Sequence, residues 1–102
     1  MKALQQLQDW YRSQCDGAWE HTFGLRIETL DNPGWSVRID LTGTELETKP
    51  FAPVSHGIDG GSHEDGDDWL VCRIEKNTFE GFGDPGKLET ILETFLKWNE
   101  AP

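Results

Sequence analysis

The sequence predicts an α+β fold in which two helices cover one face of a four-stranded antiparallel sheet, in the order α-β-β-β-β-α. Apolar residues recur at helical spacing near both ends of the chain, and four stretches between them alternate apolar with polar residues. Clusters of glycine, proline and asparagine separate these stretches, as turns between antiparallel strands require. Because 102 residues suit one modest hydrophobic core, we expect a single domain over residues 1–102.

Two amphipathic helices are predicted at the ends of the chain. The first covers residues 2–14, and Gly17 is expected to cap its end in the left-handed conformation. The last is expected to begin with Asp84 as its N-cap and Pro85 at its first position. In the first helix, the apolar residues at helical spacing are Leu4, Leu7, Trp10 and Tyr11. In the last, the expected buried stripe is Leu88, Ile91, Leu92 and Phe95.

The first two strands are predicted to form a hairpin around residues 32–34, an Asn-Pro-Gly sequence typical of a tight turn. One allowed register pairs Ile27 with Ile39. It brings opposite charges together, Glu28 with Arg38 and Arg26 with Asp40. The other allowed register pairs Ile27 with Val37 and opposes Arg26 to Arg38. Opposite charges contribute about 0.2–1 kcal/mol per pair, so the first register is predicted.

The other two strands are expected at residues 69–75 and 78–82, joined by a turn at Lys76-Asn77. Alternation places Leu70, Cys72 and Ile74 on the inward face of the third strand. The intervening prolines and glycines make a regular element unexpected between Leu46 and residue 67.

The charge of the chain excludes several classes of function. Nine basic residues stand against 19 acidic ones, for a net charge of −10, which would repel a nucleic-acid backbone. No apolar run approaches the roughly 20 residues of a membrane-spanning helix, and the polar N-terminus does not have the pattern of a signal peptide. We therefore expect a cytoplasmic protein that binds neither nucleic acid nor membrane and whose acidity suits a basic partner.

No catalytic residue and no cofactor is predicted. The Gly-x-Gly-x-x-Gly sequence at residues 81–86 does not indicate a dinucleotide site, because the chain ends with the helix that follows it. Cys72 faces inward, and Cys15 ends a helix, where the dipole disfavours a thiolate. We expect two unlinked thiols, although a small thiol enzyme of the sulfurtransferase kind remains an alternative.

The most unusual stretch is residues 57–69, which holds five carboxylates, one histidine and no lysine or arginine. It fits neither the spacing of a calcium-binding EF-hand loop nor that of a zinc site, so no metal ligand is assigned. A solvated acidic loop, a loose divalent-cation module and a partner-binding loop remain open. We predict the last, with Trp69 exposed on the outer face as its anchor. The surrounding anionic rim consists of Glu64, Asp65, Asp67 and Asp68.

Several motifs resemble the immunity protein 53 family of bacterial polymorphic toxin systems. They lie at residues 10–11, 15–17, 19–21, 29–35, 39–41, 68–69 and 79–85, and the Asp-Asn-Pro-Gly-Trp sequence at 31–35 is the most specific. The resemblance implies a small cytoplasmic α+β protein, encoded beside a toxin, that binds and neutralises it without enzyme activity. A nuclease with a basic cleft is the kind of toxin that such an acidic inhibitor suits.

Overall fold

The computed structural model describes residues 2–57 and 68–102, which form an α+β fold of three helices and five strands. The helices are α1 (Lys2–Gln14), α2 (Trp19–Thr22) and α3 (Leu88–Glu100). The strands are β1 (Leu25–Leu30), β2 (Gly34–Asp40), β3 (Val54–His56), β4 (Leu70–Glu75) and β5 (Thr78–Gly83). None of the helices in these two ranges is both long and apolar enough to cross a membrane.

The sheet is antiparallel throughout and has the strand order β1-β2-β5-β4-β3. The prediction of four strands is therefore wrong by one, because β3 pairs with β4 at one edge. This strand has three residues and lies between Pro53 and Gly57, so it is too short to show an alternating pattern. Its presence matters because it brings the chain back beside β4.

The core lies between the sheet and the two long helices, as predicted. Ala3, Leu7 and Trp10 of α1 are buried, and the α1 prediction of residues 2–14 is confirmed. Trp10 packs edge-on against Phe95 of α3, with ring centroids 5.0 Å apart. Full burial of each large apolar side chain contributes about 1.5–3 kcal/mol, so this layer is the main source of stability. The buried side chains that complete it include Val37, Ile39, Cys72, Phe79, Ile91 and Leu92.

The predicted register of the first hairpin is wrong. Ile27 lies opposite Val37, and Arg26 lies opposite Arg38. The loop is formed by residues 31–33, and Leu30 pairs directly with Gly34. Charge pairing between β1 and β2 does not set this register, because β2 has a second neighbour. On the other side of β2, Glu80 of β5 lies opposite Arg38 and forms an ion pair with it at 3.4 Å.

The turns fit the backbone preferences of their residues. Lys76 and Asn77 have φ of 50° and 61°, so the predicted tight turn between β4 and β5 is confirmed. Gly17 has the expected positive φ, 94°, but lies three residues beyond α1 rather than capping it. The short helix α2, which the sequence did not predict, begins where the Asp16 carboxylate accepts the backbone N–H groups of Ala18 and Trp19.

Candidate partner-binding surface

The two ends of residues 57–69, called here the acidic segment, lie side by side in the structure. His56 pairs with Leu70 across β3 and β4, and a Cβ atom built on Gly57 would lie 2.0 Å from the backbone oxygen of Asp68. Residues 58–67, which join these two ends, lie outside the described residues, and with them Glu64, Asp65 and Asp67 of the predicted rim. The structure therefore shows the base of the acidic segment.

Asp68 is the predicted rim residue that the structure describes. Its side chain is 70% exposed, and its two carboxylate oxygens bind different partners. One accepts a hydrogen bond from Lys87 Nζ at 2.5 Å, and the other lies 3.2 Å from His56 Nε2. The hydrogen bonds from Lys87 and His56 lower the pKa of the Asp68 carboxyl below its usual value. Asp68 is thus an exposed anion whose position is set by contacts to β3 and to the start of α3.

Asp84 shares Lys87 with Asp68 and is the buried carboxylate of the two. Its carboxylate accepts hydrogen bonds from the backbone N–H groups of Trp69 at 2.9 Å and Gly86 at 2.8 Å. Lys87 Nζ donates a third, at 2.7 Å. Burial raises the pKa of Asp84, but these hydrogen bonds outweigh it, and the net pKa lies below the usual value.

These contacts correct the predicted role of Asp84. Helix α3 begins at Leu88, so the N-cap position is occupied by Lys87, and both Asp84 and Pro85, the predicted first residue of the helix, lie before it. Lys87 bridges Asp68 and Asp84, and these hydrogen bonds raise the pKa of its amine. Through the hydrogen bonds of Asp84, the Gly-Asp-Pro-Gly sequence therefore links the base of the acidic segment to the start of α3.

Trp69 is not exposed, which overturns the expectation based on strand alternation. The residue is only 2% exposed, and it lies just before β4. A Cβ atom built on Gly34 would lie 3.4 Å from Cζ2 of its indole, so the absence of a side chain at Gly34 leaves room for the ring. Backbone hydrogen bonding continues through this residue, because Asp84 N–H donates to the Trp69 carbonyl at 3.2 Å. The buried Trp69 side chain therefore helps to hold the base of the acidic segment in place.

The sheet face opposite the long helices carries a cluster of charges that sequence reasoning missed. Glu80 of β5 lies between Arg38 of β2 and Arg73 of β4, with ion-pair distances of 3.4 and 2.9 Å. Both guanidinium groups also lie over the Phe82 ring, at 5.4 and 5.6 Å from its centroid. Together with Arg26, three of the four arginines of this acidic chain share one face.

A hollow of 390 Å³ lies at the β1 side of this face, and Arg26, Arg38 and Glu80 contribute to its lining. The outward alternation of Arg26, Arg38 and Arg73 was readable from the sequence. Their assembly was not, because it depends on β5 lying between β2 and β4.

The two cysteines are unlinked, as predicted. Cys72 is fully buried, and its burial raises the pKa of the thiol to about 11. Such a thiol is almost entirely protonated at neutral pH and is a poor nucleophile. Cys15 is exposed at the end of α1, where its thiol donates to the Tyr11 carbonyl at 3.4 Å. Across residues 2–57 and 68–102, no cluster of three or more histidine, cysteine or carboxylate side chains is suited to hold a metal ion.

Comparison with known protein families identifies a family for this chain. The family model described as immunity protein 53 matches residues 4–100, which is nearly the whole chain. No curated protein and no solved structure matches it. The match extends across the acidic segment and both motifs that hold its base, Asn-Pro-Gly-Trp and Gly-Asp-Pro.

Proposed function

The chain belongs to the immunity protein 53 family, and from this we propose that it neutralises its cognate toxin by placing the acidic segment against basic residues of the toxin's active cleft. The family itself implies the toxin-neutralising role. The docking residues we propose are those of the anionic rim: Glu64, Asp65, Asp67 and Asp68. A toxin that acts on a nucleic acid fits this proposal best, because its cleft must bind phosphates with basic side chains.

The observation that carries the proposal is the concentration of charge on a fixed base. Five carboxylates fall within residues 59–68, and Gly57 and Asp68, the described residues on either side of 58–67, are adjacent in the structure. Asp68 remains 70% exposed while it is held by Lys87 and His56. Because Asp68 is already held by these two contacts, it can meet a basic cleft with little loss of side-chain entropy on binding.

Trp69 has a supporting role in this proposal. Because it is 2% exposed, it does not offer the exposed aromatic surface of a binding hot spot. Its backbone N–H binds Asp84, which in turn binds Lys87 and so positions Asp68. A smaller side chain at position 69 would leave a cavity where the buried indole packs beside Gly34. The backbone N–H that binds Asp84 would then shift, and toxin binding would weaken through displacement of the rim.

Charge neutralisation of the rim tests the proposal directly. We expect the triple variant Glu64→Gln, Asp65→Asn, Asp67→Asn to associate more slowly with the toxin encoded by the neighbouring gene. Its association rate should also depend less on salt, because exposed charges act mainly by steering the encounter. Stopped-flow or surface-based kinetics at low and high salt would measure both effects. Asp68 is left unchanged, because it also pairs with Lys87 and His56.

A matched control separates local from global charge. The triple variant Asp9→Asn, Glu93→Gln, Glu100→Gln removes the same three negative charges from exposed positions on α1 and α3. It should retain nearly the wild-type association rate. Equal slowing by both triple variants would show that only net charge matters. If an Arg38→Glu variant lost binding while both triple variants kept it, docking would be assigned to the arginine-bearing face.

A further inference from the structure

Strand β1 is an edge strand that lacks two common protections against pairing, a proline and a bulge. In the part of the chain that the structure describes, it pairs with β2 alone, and it contains no proline. Its six residues pair with β2 in continuous register, so it has no bulge. Natural sheets usually shorten, bend or cover such an edge, because its free N–H and C=O groups can pair with another strand.

The free backbone groups of β1 belong to alternate residues. The Asp40 N–H donates to the Gly24 carbonyl at 3.0 Å, which identifies Gly24 and Asp40 as a hydrogen-bonded pair. Pairs of this kind alternate along an antiparallel ladder, so the backbone groups of Arg26 and Glu28 also point toward β2. Those of Leu25, Ile27 and Thr29 therefore point away from the sheet.

An apolar groove runs beside this edge. It has a volume of 320 Å³ and lies between α1 and β1, with Leu25 and Ile27 on the strand side. On the helix side are Leu4, which is 50% exposed, and Tyr11, which is 38% exposed. These two are the large hydrophobic residues that stand out as exposed in the described ranges. Strand pairing alone is only marginally stable in water, and this groove offers apolar surface to bury with it.

We propose that β1 pairs with β1 of a second copy, in an antiparallel arrangement with Ile27 on the two-fold axis. In this register Arg26 lies opposite Glu28 of the second copy, and the symmetry makes this pair twice. The flanking symmetric registers would oppose Arg26 to itself or Glu28 to itself, and like charges directly opposite are destabilising. The edge of β1 is thus self-complementary in charge, as a two-fold symmetric interface requires.

Charge pairing predicted the wrong register for the β1–β2 hairpin, but pairing between two copies of β1 differs from the hairpin physically. In the hairpin, the three-residue loop and the Glu80 partner of Arg38 determine the register. No loop joins two copies, so side chains on the paired strands decide between registers that the backbone permits equally. Each copy carries a net charge of −10, which opposes association, and we therefore expect dimers that dissociate on dilution.

The test is sedimentation equilibrium of the full chain over a range of concentrations, without the toxin. The wild type should approach twice the chain mass of 11.6 kDa as concentration rises. Arg26→Glu alone, or Glu28→Arg alone, turns both opposite-charge pairs into like-charge pairs. Each should weaken dimerisation about tenfold or more. The double variant Arg26→Glu, Glu28→Arg restores both pairs with reversed polarity and should restore the wild-type dissociation constant.

The controls use exposed residues, so that loss of fold does not obscure the result. Lys97→Glu and Glu93→Arg on α3 make the same changes in net charge and should leave dimerisation unchanged. Leu4→Lys places a charge in the groove and should weaken the dimer, and circular dichroism would verify that each variant folds. A wild type that stays monomeric at every concentration, or single variants that the double variant does not rescue, would overturn the proposal.

Discussion

At the scale of single residues, the most consequential side chain is Asp84. A carboxylate that is 3% exposed needs several hydrogen bonds to stay charged, and Asp84 accepts them from Trp69, Gly86 and Lys87. The sequence indicated that Asp84 was important through the Gly-Asp-Pro motif, but the predicted helix cap was wrong. Capping is a local pattern, whereas the actual partner, the Trp69 backbone, is 15 residues away.

Asp84→Asn should lower the free energy of unfolding by about 2 kcal/mol at pH 7, because it removes the charge that Lys87 and two backbone donors bind. Denaturant unfolding would measure this. Asp9→Asn, at an exposed position on α1, should change stability by less than about 0.5 kcal/mol. Equal stability of the Asp84→Asn variant and the wild type would contradict the role assigned to this carboxylate.

The same substitution should change the response to acid. The pKa values of Asp68 and Asp84 are lower in the folded protein than the ordinary value of 3.8. Their contribution to stability is therefore complete above about pH 4 and is lost as the pH falls through the folded pKa values. Below pH 4, the stability of the Asp84→Asn variant should fall less steeply than that of the wild type.

At the scale of elements, the sequence predicted what depends on local periodicity and missed what depends on neighbours. The bounds of α1, the turn at Lys76-Asn77 and the inward face of Cys72 follow from spacing and backbone preference, and all three are confirmed. The hairpin register, strand β3 and the burial of Trp69 depend on which strands lie side by side. A single sequence without strand order does not contain that information.

The hairpin also explains the glycine of the Asn-Pro-Gly-Trp motif. A Cβ atom on Gly34 would lie 2.3 Å from the Gly83 carbonyl oxygen, so Gly34→Ala requires the backbone of β2 or β5 to move. We expect it to cost about 1–3 kcal/mol, as overpacking of a filled site does. The matched control is Gly24→Ala, where an added Cβ has no atom within 4 Å and stability should change little. Thermal unfolding of both variants would measure the difference, and equal melting temperatures would contradict the tight packing at Gly34.

At the scale of the whole molecule, three surfaces are separate: one acidic, one rich in arginine and one apolar. The acidic segment leaves the β3–β4 end of the sheet, the arginine cluster occupies the face opposite the long helices, and the apolar groove lies beside β1 at the other edge. A dimer formed through β1 would leave the base of the acidic segment, at the far edge, free in both copies. Self-association and toxin binding are therefore compatible in this arrangement.

The most direct test of the toxin-neutralising function is a titration of the purified cognate toxin with this protein. We predict that toxin activity falls linearly and disappears at one protein chain per toxin. The triple rim variant Glu64→Gln, Asp65→Asn, Asp67→Asn should require an excess at the same toxin concentration, because its binding is weaker. Full toxin activity in the presence of a large excess of wild-type protein would contradict the proposed function.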